Sequence, residues 1–164
     1  MRRLIGLLFG ACLTASGLSG CNHNQGQNAA GSQAQISKPA NPNDAAAWEA
    51  YMVKIGAAHA QAAGDKPYLF IVPSGDDPAA RDRRQMIQHA LADMASRNSF
   101  PGNTIVVGGP DPGMTTQVIK AAFDQAKPGT LKAETVLYVG DDTDKDIAQK
   151  TIEASGATFR YVKM

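Results

Sequence analysis

Three apolar runs of strand length, each separated from the next by a stretch of helical periodicity, constrain this 164-residue chain most. Tyr68-Leu69-Phe70-Ile71-Val72, Thr104-Ile105-Val106-Val107 and Thr135-Val136-Leu137-Tyr138-Val139 are continuous enough to be strands buried on both faces. Between them, Ile87, Ala90, Leu91 and Met94 recur at helical spacing within Pro78 to Arg97. Val118, Ile119, Ala122, Phe123 and Ala126 do so within Pro112 to Ala126. A last helix is expected from Thr143 to Ala154, stopped by Gly156, and an alternating strand from Ala157 to Val162. Upstream, Asp44 is placed to cap a helix reaching Ala62, with Trp48, Met52, Ile55, His59 and Ala62 on one stripe.

Strands alternating with helices give a parallel sheet covered on both faces, a small three-layer α/β/α sandwich preceded by an extra N-terminal helix. The first and third runs are wholly apolar, which suits central strands, and the last alternates, which suits an edge. With right-handed crossovers these conditions give four strands in the order 2-1-3-4, a flavodoxin-like arrangement.

The N-terminus has a different character. Arg2 and Arg3 precede an apolar run from Leu4 to Leu13, then small residues lead to Leu18-Ser19-Gly20-Cys21. A positive start, a short apolar run and a small-residue cleavage site form a secretory signal. The run is too short, and too interrupted by glycine and serine, to span a bilayer. Leu18-Ser19-Gly20-Cys21 resembles the lipobox of bacterial lipoproteins. The resemblance implies cleavage before Cys21, diacylglyceryl attachment to its sulfur and acylation of the new amine, often with palmitate. It implies a protein anchored in the cell envelope and facing the periplasm. Asn22 stands where enteric lipoproteins kept at the inner membrane carry aspartate, so an outer membrane is the expected location where the cell has one. The expected organisation is therefore a signal peptide over 1–20, a lipidated cysteine with a flexible tether over 21–43, and one globular domain over 44–164.

The tether expectation rests on composition. Residues 22–43 are rich in Asn, Gln, Ala, Gly, Ser and Pro with almost no large apolar side chain, so ordering them gains little burial. A coil of that length spans about 25 Å root-mean-square. Without residues 1–20, which hold two arginines and no acid, the chain has 14 basic and 15 acidic residues. Such a balance gives no steering towards nucleic acid, and no nucleic-acid partner is expected. The two cysteines are Cys12 and Cys21. One leaves with the signal and the other carries lipid, so no thiol chemistry or internal disulfide is expected.

Chemistry, if present, belongs at the carboxyl ends of the strands. Three loops reach that edge: Pro73-Ser74-Gly75-Asp76-Asp77-Pro78, Gly108-Gly109-Pro110-Asp111-Pro112-Gly113 and Gly140-Asp141-Asp142-Thr143-Asp144. Asp76, Asp111, Asp141 and Asp142 are candidate ligands for a hard cation, Mg²⁺ or Ca²⁺, and no other cofactor is called for. Ser74 and Gly75 with Arg81 and Arg84 are a candidate anion site. Helix capping explains many of the same residues. Asp77-Pro78 and Asp111-Pro112 each fit an N-cap followed by proline, and Asp142 or Thr143 would cap the last helix. Asp76 and Asp141 are left over as the residues on which a site would depend.

Val136 to Asp146, followed by Ala154-Ser155-Gly156-Ala157, resembles the last acidic motif of haloacid-dehalogenase-like phosphohydrolases. That resemblance implies Mg²⁺ ligation by Asp141 and either Asp142 or Asp146. The nucleophilic Asp-x-Asp of that family would fall at Val72-Pro73-Ser74-Gly75-Asp76, where it is absent, so aspartyl-phosphate chemistry lacks its first step. Asp142, Asp144, Asp146 and Glu153 also fall at calcium-loop spacing, but Ile147 occupies the position where the turn needs glycine. The expected function is an envelope lipoprotein with a non-enzymatic binding or accessory domain and an envelope protein as partner. The alternative is a metal-dependent phosphohydrolase or nucleotide-binding enzyme using the acidic loops.

Overall fold

A computed structural model describes residues 36–60, 66–97, 102–124 and 126–164. The signal, Cys21 and most of the tether lie outside the described residues. Eight elements follow in chain order: α1 (Ala45–Ala58), β1 (Tyr68–Ile71), α2 (Pro78–Arg97), β2 (Thr104–Gly108), α3 (Pro112–Phe123), β3 (Thr135–Gly140), α4 (Asp142–Ala154) and β4 (Thr158–Lys163). The four strands form one parallel sheet, and helices cover both faces, as the alternation predicts.

The order of the sheet is β1-β2-β3-β4, not 2-1-3-4. β1 is an edge strand. Its apolarity reflects cover on both faces, which marks a strand as sandwiched but does not say where in the sheet it lies. Tyr68 is exposed and Leu69 to Ile71 are only half-buried, whereas every residue of β2 and β3 is buried.

Adding each strand on the same side through right-handed crossovers places every crossover helix on one face. α2, α3 and α4 share a core there, with Leu91, Ile119 and Ile152 packed on Ile105, Val107, Val136 and Tyr138. Among the described residues α1 alone serves the other face, where Trp48, Met52 and Ile55 meet Val106, Leu137 and Val139. The layers are therefore unequal: three helices, a sheet, one helix.

Local chemistry fixes the ends. Asp44, Asp77 and Asp111 accept hydrogen bonds from the amides of Ala47, Ala80 and Met114, each at 3.0 Å, and so cap α1, α2 and α3. α1 ends at Ala58, short of the expected Ala62, which lies outside the described residues. α3 ends at Phe123 rather than Ala126.

Packing also begins before Asp44. Ile36 lies against the α1-side core, and the carbonyl of Asn41 accepts from the Trp48 indole at 3.1 Å. The expected tether therefore loses its last part: one isoleucine finds apolar cover, and one carbonyl satisfies a buried donor.

Two buried or half-buried groups lead to predictions. Glu134 is 1% exposed; its Oε2 accepts from the Ala133 amide at 3.1 Å, and its Oε1 has no hydrogen-bond partner among the described residues. A buried, half-satisfied carboxylate costs more than a neutral amide of the same shape. Glu134→Gln is expected to stabilise the fold by about 1–3 kcal/mol, read as a higher urea midpoint.

His59 ends α1, where Arg160 of β4 donates to its carbonyl at 3.0 Å and lies 3.5 Å from its Nδ1. A guanidinium has no lone pair to offer, so Nδ1 must be the acceptor and unprotonated. Burial first, and the Arg160 charge second, hold the imidazole below its ordinary value of 6.5. Between the two values the unfolded chain binds the extra proton, so stability falls as pH drops from about 6.5 towards the folded value. His59→Gln is expected to remove that part of the acid sensitivity, seen by comparing urea midpoints at pH 7.5 and 5.5.

Candidate functional site

The carboxyl edge of the sheet divides into two unlike halves. The first lies where the chain passes from the α1 face to the α2 face around the end of β1. Both helices begin at this edge, and between them opens a cleft of about 400 Å³. Its walls are largely apolar, formed by Pro42, Trp48, Ile71, Pro73 and Pro110, with Ser74, Asp77 and Arg83 supplying polar groups. A concave apolar site with a few polar groups is the usual form of a small-ligand or side-chain pocket.

Of the four candidate anion-binding residues, only Ser74 lines this cleft. Arg84 is engaged within its own loop: Nη1 donates to the carbonyls of Pro73 at 3.1 Å and Gly75 at 2.6 Å, and Nη2 lies 3.7 Å from Asp76. Gly75 has φ +88°, a left-handed conformation that turns its carbonyl towards Arg84 at little steric cost. Arg81 faces the groove between α2 and α3 instead. Arg83, between those two arginines in sequence, is the arginine at the cleft.

The second half is acidic and centres on Tyr138. This side chain of β3 is fully buried, and its hydroxyl lies 3.1 Å from Thr116 Oγ1. Gly140 makes that placement possible: a Cβ there would stand 2.2 Å from the tyrosine ring. The glycine of the Gly-Asp pair that resembled an acidic motif thus has a packing role of its own. Burial chiefly pushes the Tyr138 phenol up to about 12; the Thr116 hydrogen bond opposes it, and the charges of Asp144, Asp141 and Asp111 each add a smaller upward push. Burial, reinforced by Asp141 and Asp111, also raises Asp144.

Asp111 and Asp141 are therefore the carboxylates whose charges bear on Asp144. Asp76 is 82% exposed beside Arg84. Asp142 accepts from Tyr161 at 2.9 Å and from the Lys163 ammonium, and those bonds, Lys163 first, lower its pKa. Asp141, left over in the sequence reading, is the N-cap of α4 and accepts from the Thr143 amide at 3.2 Å. Asp142 and Thr143, the expected caps, belong to the helix itself. Among the described residues no three His, Cys, Asp or Glu side chains are grouped so as to hold a metal ion.

Tyr161 stacks on Tyr138 with ring centres 6.0 Å apart, and Lys145 lies 5.5 Å over its ring. Neither tyrosine was singled out from sequence, since each reads as an ordinary strand residue. The only available signal was Tyr138 two residues before Gly140, on the same face of one strand. No protein-family model, curated protein or solved structure matches the chain.

Proposed function

We propose that the chain is a bacterial lipoprotein, anchored in an envelope membrane through lipid on Cys21, whose α/β domain works by binding an envelope protein rather than by turnover. The stretch Leu18-Ser19-Gly20-Cys21, behind Arg2, Arg3 and a short apolar run, carries the anchoring reading. Two or more acyl chains on one cysteine give stable membrane attachment. Among the described residues, no helix is long and apolar enough to cross a membrane.

Binding is supported by how the edge residues are engaged. Asp77, Asp111 and Asp141 cap helices, Asp142 joins Lys163 and Tyr161, and Arg84 braces the first loop. The cleft beside them offers apolar walls suited to a side chain of a partner. A tether ending at Ile36 has about fourteen residues after Cys21, a root-mean-square reach of about 20 Å.

Metabolic labelling with palmitate tests the anchor. Label is expected in the wild-type chain and absent from Cys21→Ser, with the variant moving to the soluble fraction. Label that survives the substitution overturns the reading. A metal-dependent phosphohydrolase or nucleotide-binding enzyme is the second reading, resting on the charges of Asp111 and Asp141 that bear on Asp144. A calorimetric titration with Mg²⁺ and Ca²⁺ that gives no heat removes it.

A further inference from the structure

The exposed surface of α4 carries a pattern that its own domain does not use. Asp146, Ile147, Lys150 and Ala154 share one exposed side of the helix, at spacings of one, three and four residues. Ile147 is 50% exposed. Beside it runs a groove of about 630 Å³ between α3 and α4, which Phe123 and Pro128 also line. Lys120 and Asp124 on the α3 wall pair with each other at 3.1 Å. None of the ion pairs among the described residues uses Asp146 or Lys150.

We propose that this surface is the interface of a homodimer in which α4 packs antiparallel on α4 of a second copy. A two-fold axis crossing the helix between Asp146 and Lys150 brings Asp146 of each copy to Lys150 of the other. It also places the two Ile147 side chains between those pairs, against the apolar part of each groove. Ala154, with only a methyl group, lets the partner helix approach near the end of the contact.

The occupant is a second copy because the charges are self-complementary. One surface holds a negative and a positive group, one helical turn apart, and only a two-fold antiparallel arrangement satisfies both groups twice. Access is consistent with this. The chain enters the domain at Ile36 on the α1 side, and α4 lies on the opposite face of the sheet. The proposal does not depend on lipidation.

Exposed ion pairs add little affinity but strongly select partner and orientation. The test therefore reads charge rather than stability. The full chain in density-matched detergent is followed by sedimentation equilibrium, for the wild type, Asp146→Lys and Lys150→Asp. The wild type is expected to show a concentration-dependent dimer. Each single variant faces like charges across the axis and is expected to dimerise at least about tenfold more weakly. An equimolar mixture of the two variants restores opposite charges across the axis and is expected to recover the dimer.

Recovery in the mixture separates contact between copies from pairing of Asp146 with Lys150 inside one helix, which mixing cannot repair. Circular dichroism melts confirm that the variants fold. A wild-type chain that stays monomeric at about 1 mM overturns the proposal, as do single variants that dimerise unchanged or a mixture that stays monomeric.

Discussion

Gly109→Ala is expected to destabilise the domain by about 3 kcal/mol or more, among the largest effects of any single methyl group in this fold. A Cβ at this position would stand 2.0 Å from the Val72 carbonyl oxygen and 3.0 Å from the carbonyl carbon. Both atoms are backbone, so no rotamer change relieves the contact. Relief requires β1 to move away from β2, its one partner strand among the described residues. The Val72 amide donates to the Gly108 carbonyl at 2.8 Å beside the clash, so that bond would be strained as well. Urea unfolding should show the midpoint falling sharply. A midpoint within the usual range of a surface substitution, about 0.5 kcal/mol, would mean that the strands do not approach as described.

Trp48→Ala is expected to cost about 3–5 kcal/mol, as for other large-to-small changes at buried aromatic sites. Trp48 is 1% exposed and meets Tyr51 edge-on, with ring centres 5.5 Å apart. Its indole donates to Asn41, so the substitution also releases the segment that leads into α1. Among the described residues α1 is the one helix on its face of the sheet, so none of them forms a neighbouring helix that could fill the space. Trp48→Phe separates the two contributions, because it keeps most of the packing and removes only the hydrogen bond. It is expected to cost about 1 kcal/mol for the lost bond, plus a smaller packing term. Equal losses in the two variants would show that packing by the indole contributes little.

The sequence was most readable where one local signal had one cause. Asp111 followed by Pro112 specified a cap and a helix start, and the structure has both. α2 spans Pro78 to Arg97 as its periodicity indicates. Strand order was not readable in the same way. Leu69, Phe70 and Ile71 are as apolar as Val136 to Val139, and burial by helices on two faces gives an edge strand and a central strand the same composition. Asp141 illustrates the limit at the site. Three adjacent polar residues, Asp141, Asp142 and Thr143, can each cap a helix, and propensity does not say which one remains outside the first turn. The structure gives that place to Asp141 and turns Asp142 towards Lys163, a residue far along the chain. Pairings of that kind depend on register between β3 and β4, which no local pattern carries.

A sheet whose strands lie in chain order has a kinetic consequence. Every strand finds its partner one crossover away, so loop closure never has to bridge a distant, unformed part of the sheet. Parallel pairing is slow to form because each pair of strands closes over a whole crossover, and this order keeps those closures as short as a parallel sheet allows. Growth can proceed from β1 towards β4 as the chain becomes available, each new strand adding to an exposed edge. The bond from Arg160 to the end of α1 joins residues 101 apart in sequence and forms only once the last strand is in place. It fastens the opening helix to the closing strand, so the first and last elements of the domain report on the completion of one another.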